Sequence, residues 1–572
     1  MEYLILSGAM VIFVVLVMGK EYLNSKKYRK KILDKLYQSY GTPAERNYKP
    51  GEMDHITMYY RKHPVPHQID DITWNDLNMD QIYQTINPSC SAAGDEYLYY
   101  RLRTPVYDTD EMEELESEIQ FFVEHEKERH DVQDAFYALG RTGKYSIYEY
   151  LEYLDDLGER KNFKYLLFDL LLFVCIGLMF LSPVYGIVLL LVVLCHNIIV
   201  YFKEYKQIEP YITSFRYIRR LLECVEQIQN LSLTAFSGEQ EKLTVCYQSL
   251  KNFRRSSYLV LSSTKGNSNP LEIVLDYLRM CFSLDLIQFN KALRAVRGHM
   301  DEIDEMITLL GKMETAVVIG SYRNSLQEGC CIPVIHYEEQ AERKLRIKDV
   351  YHPLLTNPVK NSLQAERGVL LTGSNASGKS TFLRTVAISA LFAQTIHTCS
   401  ASYYEAPVFR IYSSMSLKDN LLGGESYYMA EIKSMKRILD QSRIAGKEKM
   451  YVLCFVDEVL RGTNTVERIA ASTRIMQMFA DELTLCFAAT HDVELTKLLE
   501  DRYDNYHFEE RIEEEDIYFP YRLMKGPATS RNAIALLKML GYDDRIISGA
   551  ETMAENFLKT GKWEWPELSG KV

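Results

Sequence analysis

The sequence predicts an α/β P-loop nucleotide-hydrolase domain, preceded by an all-α region that a transmembrane helical hairpin interrupts. Three observations predict this. Gly373-Ser374-Asn375-Ala376-Ser377-Gly378-Lys379-Ser380 is a G-x-x-x-x-G-K-S loop between an apolar run, Gly368 to Thr372, and a helix-like run, Thr381 to Val386. A second apolar run, Tyr451 to Val456, ends in the acidic pair Asp457-Glu458. Two long apolar segments, Tyr165 to Leu181 and Val184 to Phe202, sit between lysines and break only at Ser182-Pro183.

A strand–loop–helix context separates a phosphate loop from a chance Gly/Ser-rich stretch. In such a loop the glycines let backbone N–H groups close around phosphate oxygens, and Thr381 continues the cradle into the helix. Lys379 would neutralise the outer phosphates, and the Ser380 hydroxyl would face Mg²⁺. Asp457 would complete the Mg²⁺ shell, while Glu458 would polarise the attacking water. A further buried-strand run, Leu485 to Ala489, ends in Thr490-His491. Alone, His491 is a strand-end histidine; after a P-loop and an acidic strand it is placed to sense the γ-phosphate. The implied cofactors are ATP and Mg²⁺.

The chain has 572 residues, 47% of them hydrophobic, enough for two or three domains with cores of their own. The net charge of −12 excludes a surface that grips nucleic acid everywhere; a DNA contact would need a local patch. The 11 cysteines include no C-x-x-C pair, which argues for a reducing compartment and against a zinc site. Arg254, Arg255 and Lys265 lie in a stretch, Glu239 to Asn269, where a DNA-touching clamp could sit, although a solvated basic face explains them as well.

Leu4 to Met18 is a third apolar segment, followed by a lysine-rich stretch from Lys20 to Lys35. It reads as a first span with its basic flank inside; an amphipathic surface helix is the alternative. Lys161 and Lys164 precede the hairpin, and Lys203 and Lys206 follow it, so both flanks are inside. A buried soluble hairpin is the competing reading. Three spans are expected in total, with the nucleotide domain in the cytoplasm, in what reads as a bacterial plasma membrane. Asp169 and His196 fall inside the hairpin at matching distances from its turn. They either pair in the membrane or snorkel separately to the headgroups.

The expected organisation is a membrane anchor over 1–35, a linker over 36–70, and a helical core and lever domain over 71–345 containing the hairpin at 165–202. A nucleotide-hydrolase domain over 346–560 and a tail over 561–572 complete it. The run Leu271 to Leu326 has few breakers and predicts a pair of lever helices.

Several motifs together resemble the MutS family. They are T-G-S-N-A-S-G-K-S-T-F-L-R at 372–384, D-E-V-L-R-G-T-N-T at 457–465, and A-T-H-D-V-E-L at 489–495. Tyr351-His352-Pro353-Leu354, the stretch Gly423 to Glu431, and Asn505, His507, Gly526, Ser530 and Asn532 to Leu540 extend the likeness. An ABC transporter half would also carry a P-loop, but Gly423-Gly424-Glu425 follows it too closely, and R-G-T-x-T replaces the usual ABC segment. The resemblance implies a homodimer with composite ATP sites, in which Ser426 reaches the nucleotide of the other subunit. It places an adenine-stacking ring at Tyr521, with Leu354 or Leu355 opposite. It implies DNA binding and a role in mismatch repair or DNA damage sensing. No mismatch-reading domain fits before residue 70, so this looks like a short, membrane-anchored member. A membrane signalling or assembly ATPase that never binds DNA is the alternative.

Overall fold

The computed structural model describes the chain outside residues 1–19, 21–22, 25, 144, 159, 252, 255–256, 258–276, 327–328, 339–340, 375–376, 416–426, 461–463, 481–482, 514–515, 529–533, 535–536, 539, 564 and 566–572. It forms two compact units. One comprises Met1–Pro66, Tyr83–Thr104 and Asp110–Gln327; the other comprises His67–Ile82, Pro105–Thr109 and Glu328–Val572.

The first unit is helical. Helix α1 (Ala92–Arg103) starts where the Ser91 hydroxyl accepts from Gly94 N at 3.1 Å. It ends just before Pro105, as the backbone restriction ahead of a proline requires. Two apolar helices follow, α2 (Phe163–Leu181) and α3 (Pro183–Gln229). Both are long and apolar enough to cross a membrane, and only 17% and 22% of their most apolar windows are buried. Phe180 is 88% exposed and Leu181 84%, a surface that water does not favour. The expected first span, Leu4 to Met18, lies outside the described residues, so two apolar helices are seen where three spans were expected.

The second hairpin helix does not stop at Phe202. It runs 47 residues in all, to Gln229 and through Pro210, since most of Lys203 to Gln229 is good helix former and the apolar face of that part is buried. Its later half turns Ile212, Phe215, Ile218, Leu221, Leu222 and Val225 into the core, at helical spacing. The hairpin therefore grows out of the helical core rather than being spliced into it. Asp169 and His196 do not hydrogen-bond to each other: the His196 ring lies on Phe168 with centroids 4.4 Å apart.

The lever run separates into Leu284–Arg297 and α4 (Met300–Leu326). Helix α4 crosses α1 at Gly311, where an added Cβ would stand 2.8 Å from Ala93 O and 2.6 Å from Tyr97 Cβ. One turn on, Glu314 is fully buried and accepts from Cys90 N at 2.6 Å, Ser91 N at 3.2 Å and the Ser91 hydroxyl. Burial pushes its carboxyl up to about 7 against those donors. A cluster of carboxylates, Glu114, Glu118 and Glu239, closes around the Lys312 ammonium at 2.6, 2.8 and 2.8 Å, which supplies the cation the cluster needs. Arg254 is paired with Glu226 at 2.8 Å; Arg255 and Lys265 lie outside the described residues.

Within the stretch expected as linker, two short helices, Glu52–Ile56 and Met58–Lys62, bury Ile56 and Tyr59. His63 follows them, and its Nε2 meets Asp304 Oδ2 at 2.9 Å, while the Tyr148 hydroxyl donates to Asp304 Oδ1 at 2.6 Å. The Asp304 contact raises the His63 imidazole above 6.5. Burial works to raise Asp304, but the bonds from His63 and Tyr148 outweigh it and hold the carboxyl below 3.8. The stability from a raised histidine is complete below its unfolded value and is lost as pH rises through the folded one. His63→Ala is therefore expected to lower the unfolding midpoint most near about pH 5.5 and least near about pH 9. Thermal unfolding of both proteins at the two pH values checks this; an equal deficit at both would remove the ion pair from the account.

The second unit is α/β. A four-stranded sheet holds β1 (Val334–His336), β2 (Leu345–Val350), β3 (Asn361–Ala365) and β5 (Tyr403–Pro407) in the order β1-β5-β2-β3. A six-stranded sheet contains β4 (Gly368–Thr372), β6 (Phe409–Ser414), β7 (Tyr451–Asp457), β8 (Thr484–Ala489), β9 (Tyr503–Phe508) and β12 (Leu523–Lys525). Its order is β12-β9-β4-β8-β7-β6, parallel except for the edge strand β12. A small hairpin, β10 (Arg511–Glu513) and β11 (Asp516–Tyr518), projects between β9 and β12 in sequence. Val452 to Val456 and Leu485 to Ala489 are wholly buried, as central parallel strands require. Helices α5 (Lys379–Thr395), α6 (Tyr427–Lys447) and α7 (Thr465–Phe479) connect and cover this sheet.

Candidate nucleotide site

The parallel sheet brings three strand ends together, because β4, β8 and β7 are neighbours and each gives up its functional residues at its carboxyl end. β4 runs into the phosphate loop, β7 ends at Asp457, and β8 leads to His491. Backbone bonds from Thr490 N to Leu371 O, 2.9 Å, and from Glu458 N to Ala489 O, 2.9 Å, stitch the three ends at one level.

The loop requires its glycines. Gly373 has φ +139°, and a Cβ there would lie 2.6 Å from Phe508 O. Gly378 has φ +103°, with its open side facing the Tyr521 ring. Ser377 is buried and its hydroxyl donates to Ser374 O at 2.8 Å, closing the loop on itself. Asn375 and Ala376 lie outside the described residues. Lys379 opens α5, and its ammonium donates to Gly373 O and Ser374 O, both at 2.6 Å. Burial pushes the ammonium down to about 8, and the carboxylates of Asp457 and Glu458 act against that shift. A buried ammonium whose hydrogen bonds go to backbone carbonyls is matched to an incoming anion.

Ser380 Oγ donates to Asp457 Oδ2 at 2.5 Å. The hydroxyl from the first turn of α5 and the carboxylate from the end of β7 converge on one point, the pairing that a Mg²⁺ bound to phosphates uses, so the residues present fit that ion. Burial raises the Asp457 carboxyl. Glu458 has φ +54°, a left-handed conformation unusual for a side-chain-bearing residue, and its Oε1 meets His491 Nε2 at 2.9 Å. Strain of this kind concentrates at functional sites. The two residues singled out by sequence for water activation and phosphate sensing thus touch each other.

Tyr521, also left-handed at φ +53°, lines a cleft of about 330 Å³ with Val350, His352, Leu355, Thr381 and Phe382. Leu355 rather than Leu354 faces that cleft. Burial, with Arg384 nearby, pushes the His352 imidazole down to about 4, so it is neutral at pH 7.

Three residues support the site; Asn361 and Arg468 escaped the sequence reading, and Glu431 entered it only within the stretch that resembles the MutS family. Asn361 donates to Tyr521 O at 2.9 Å and accepts from Leu523 N at 2.8 Å, fixing the Tyr521 turn. Glu431, in the first turns of α6, is buried and accepts from Leu460 N at 2.5 Å, holding the segment after Glu458. Arg468 grips Asp492 at both oxygens, 2.9 and 2.7 Å, beside His491. A charged pair on separate elements has no signature in sequence spacing. Ser426, Gly423 to Glu425, Arg461 to Thr463, Ser530 and Asn532 lie outside the described residues. The chain enters the first of those segments from Met415, whose N–H the buried Asp76 holds at 2.8 Å.

Comparison with known proteins matches residues 369–558 to the family described as MutS domain V. Over 215 residues the chain is 33% identical to the DNA mismatch repair protein MutS of Thermus thermophilus, covering 37% of this chain and 26% of that protein. It is 33% identical over 233 residues to the DNA mismatch repair protein MutS of Thermotoga petrophila, covering 39% and 29%. The C-terminal domain belongs to the MutS family. The MutS 2 protein of Haloarcula marismortui is 32% identical over 182 residues, 31% of this chain and 19% of its own length. The chain spans about a quarter of the curated MutS proteins it matches, and the domain V match over residues 369–558 contains every residue of the Lys379–Asp457–Glu458–His491 cluster.

Proposed function

We propose that this protein is a membrane-anchored MutS-like ATPase. Its nucleotide domain binds ATP with Mg²⁺ and uses hydrolysis to switch a dimer. The observation that carries the reading is the convergence of Lys379, Ser380–Asp457 and Glu458–His491 at adjacent strand ends. Lys379 takes the outer phosphates and leaves the loop carbonyls. Ser380 and Asp457 would hold the ion, and when bound it would supply charge stabilisation to the phosphoryl oxygens. Glu458 orients the water, and His491 meets the γ-phosphate edge. The phosphate competes with Glu458 for the imidazole, so nucleotide arrival frees the carboxylate for its water.

The adenine lies on Tyr521, with Leu355 opposite. Base stacking on an aromatic ring contributes roughly 1–3 kcal/mol. Tyr521→Ala is expected to weaken ATP affinity about tenfold while leaving the single-turnover rate within about twofold. An unchanged affinity would take Tyr521 out of the site.

In the dimer, Ser426 of one subunit completes the other's site. A heterodimer of Ser426→Ala and Lys379→Ala chains then has one site with both defects and one with neither, and regains about half of the wild-type turnover. A verified heterodimer with no activity would leave each site within its own chain.

The relatives are DNA mismatch repair proteins by name, and DNA held between the helical levers is the reading that follows from them. The net charge of −12 favours the second reading, a membrane signalling or assembly ATPase whose levers act on a protein. Duplex binding that weakens steeply with salt selects the first; no binding at low salt selects the second. Helices α2 and α3 cross the membrane as a hairpin, with both flanks and the ATPase domain inside.

A further inference from the structure

Residues 281–290, at the start of the lever run, follow the hairpin in register. At its base, Asn290 Nδ2 donates to Asn162 Oδ1 at 2.7 Å, and Asn162 Nδ2 donates to Ile287 O at 3.2 Å. Higher up, the Tyr201 hydroxyl donates to the buried Asp285 at 2.9 Å. Next, the buried Asn197 donates to Cys281 O at 2.9 Å. At the top, Phe282 packs against the Leu172, Cys175 and Val193 cluster, its ring 5.7 Å from that of Phe173. From Tyr201 to Val193 this ladder rises about 12 Å along α3, at about 1.5 Å per residue. Phe282 therefore stands about 13 Å above Phe163, the first residue of α2.

That height is nearly half of the roughly 30 Å hydrocarbon thickness of a bilayer. We propose that residues 277–283 form a membrane-embedded, re-entrant element docked on the hairpin, with Tyr277 and Leu278 facing lipid acyl chains. The proposal rests on the hairpin spanning the bilayer. The local chemistry fits a lipid setting. Ser283, at φ +47°, turns the chain sharply between the helical Tyr277 to Cys281 stretch and Leu284–Arg297. Such a break frees backbone carbonyls, and in hydrocarbon these must be satisfied by protein. Asn197 does this for Cys281, from a position on α3 where a polar side chain facing lipid would be costly. The segment's described charge, Arg279, is 11% exposed and turned toward Asp285 at 3.9 Å, away from the outer face. That outer face is Tyr277, 61% exposed, and Leu278, 44% exposed, and the neighbouring Phe282 meets the exposed Phe173 of α2. The occupant is lipid because the same height on the hairpin faces lipid on its other sides.

The test places a photoreactive benzoylphenylalanine at position 278, and separately at 277, in the full chain reconstituted into phosphatidylethanolamine–phosphatidylglycerol vesicles. Position 188 on the hairpin and position 248 on an aqueous helix face serve as references. Lipid adducts at 188 and at 277 or 278, at least about tenfold above those at 248, are the expected result. Adducts at 188 with only the 248 level at both 277 and 278 would overturn the re-entrant element and leave the spanning hairpin standing. The 248 level at 188 as well would overturn the hairpin and this proposal with it.

Discussion

Glu458→Gln is expected to retain ATP while hydrolysing it about 10²-fold or more slowly, because the amide can hold the water without accepting its proton. The left-handed Glu458 is held by a backbone bond from its N–H to Ala489 O that involves no side-chain atom, so the substitution leaves it intact and the loss is confined to chemistry. Lys379→Ala is expected to fail one step earlier. Its ammonium lies in a buried loop beside carboxylates, and removing it leaves Asp457 and Glu458 facing the phosphates with no protein cation from the loop. Nucleotide binding should become undetectable by calorimetry under conditions where Glu458→Gln binds fully. Wild-type turnover in Glu458→Gln would contradict the assignment of the water-activating group.

Gly311→Leu is expected to destabilise the helical unit by about 1–3 kcal/mol or to prevent its folding, since overpacking at a close helix crossing forces backbone shifts. The atoms in the way are Ala93 O and Tyr97 Cβ, of which one is backbone and the other lies at the root of its side chain, so neither can swing aside. The neighbouring Glu314 depends on the same crossing for its donors, Cys90 N and Ser91 N. Gly311→Ala should show a smaller loss in the same direction. Denaturant unfolding in detergent reads both, and a wild-type midpoint for Gly311→Leu would mean that α1 and α4 do not meet there.

The convergence of the candidate site's residues was legible because phosphate-loop chemistry constrains residue type at fixed spacing. Gly373 and Gly378 need positive φ, Lys379 and Ser380 need charge and hydroxyl, and Asp457-Glu458 needs a buried strand before it. The boundaries of β4, β7 and β8 followed within a residue or so from uninterrupted apolar runs. What joins elements was less legible. Arg468 and Asp492 meet from α7 and the turn after β8, and Asn361 reaches Tyr521 across 160 positions. Neither pairing has a periodicity to betray it. The length of α3 escaped for another reason. At Phe202 hydropathy changes abruptly, but no cap or glycine stop signal stands there, and the later half of the helix is held by the apolar face it buries. The prolines of residues 36–70 likewise suggested a linker, whereas burial of Tyr59 depends on partners far along the chain, such as Thr308 at 2.8 Å.

The central claim, an ATPase domain carried on a membrane hairpin, is tested most directly by side-specific labelling of the full chain in intact cells. Single cysteines at Ser182, in the turn between α2 and α3, and at Lys203, past the apolar stretch, are probed with a membrane-impermeant maleimide, against the unsubstituted chain as background. The account predicts labelling at 182 from outside and protection at 203 until the cells are opened. Protection of both positions in intact cells, with both labelled after lysis without detergent, would contradict it and return the hairpin to the interior.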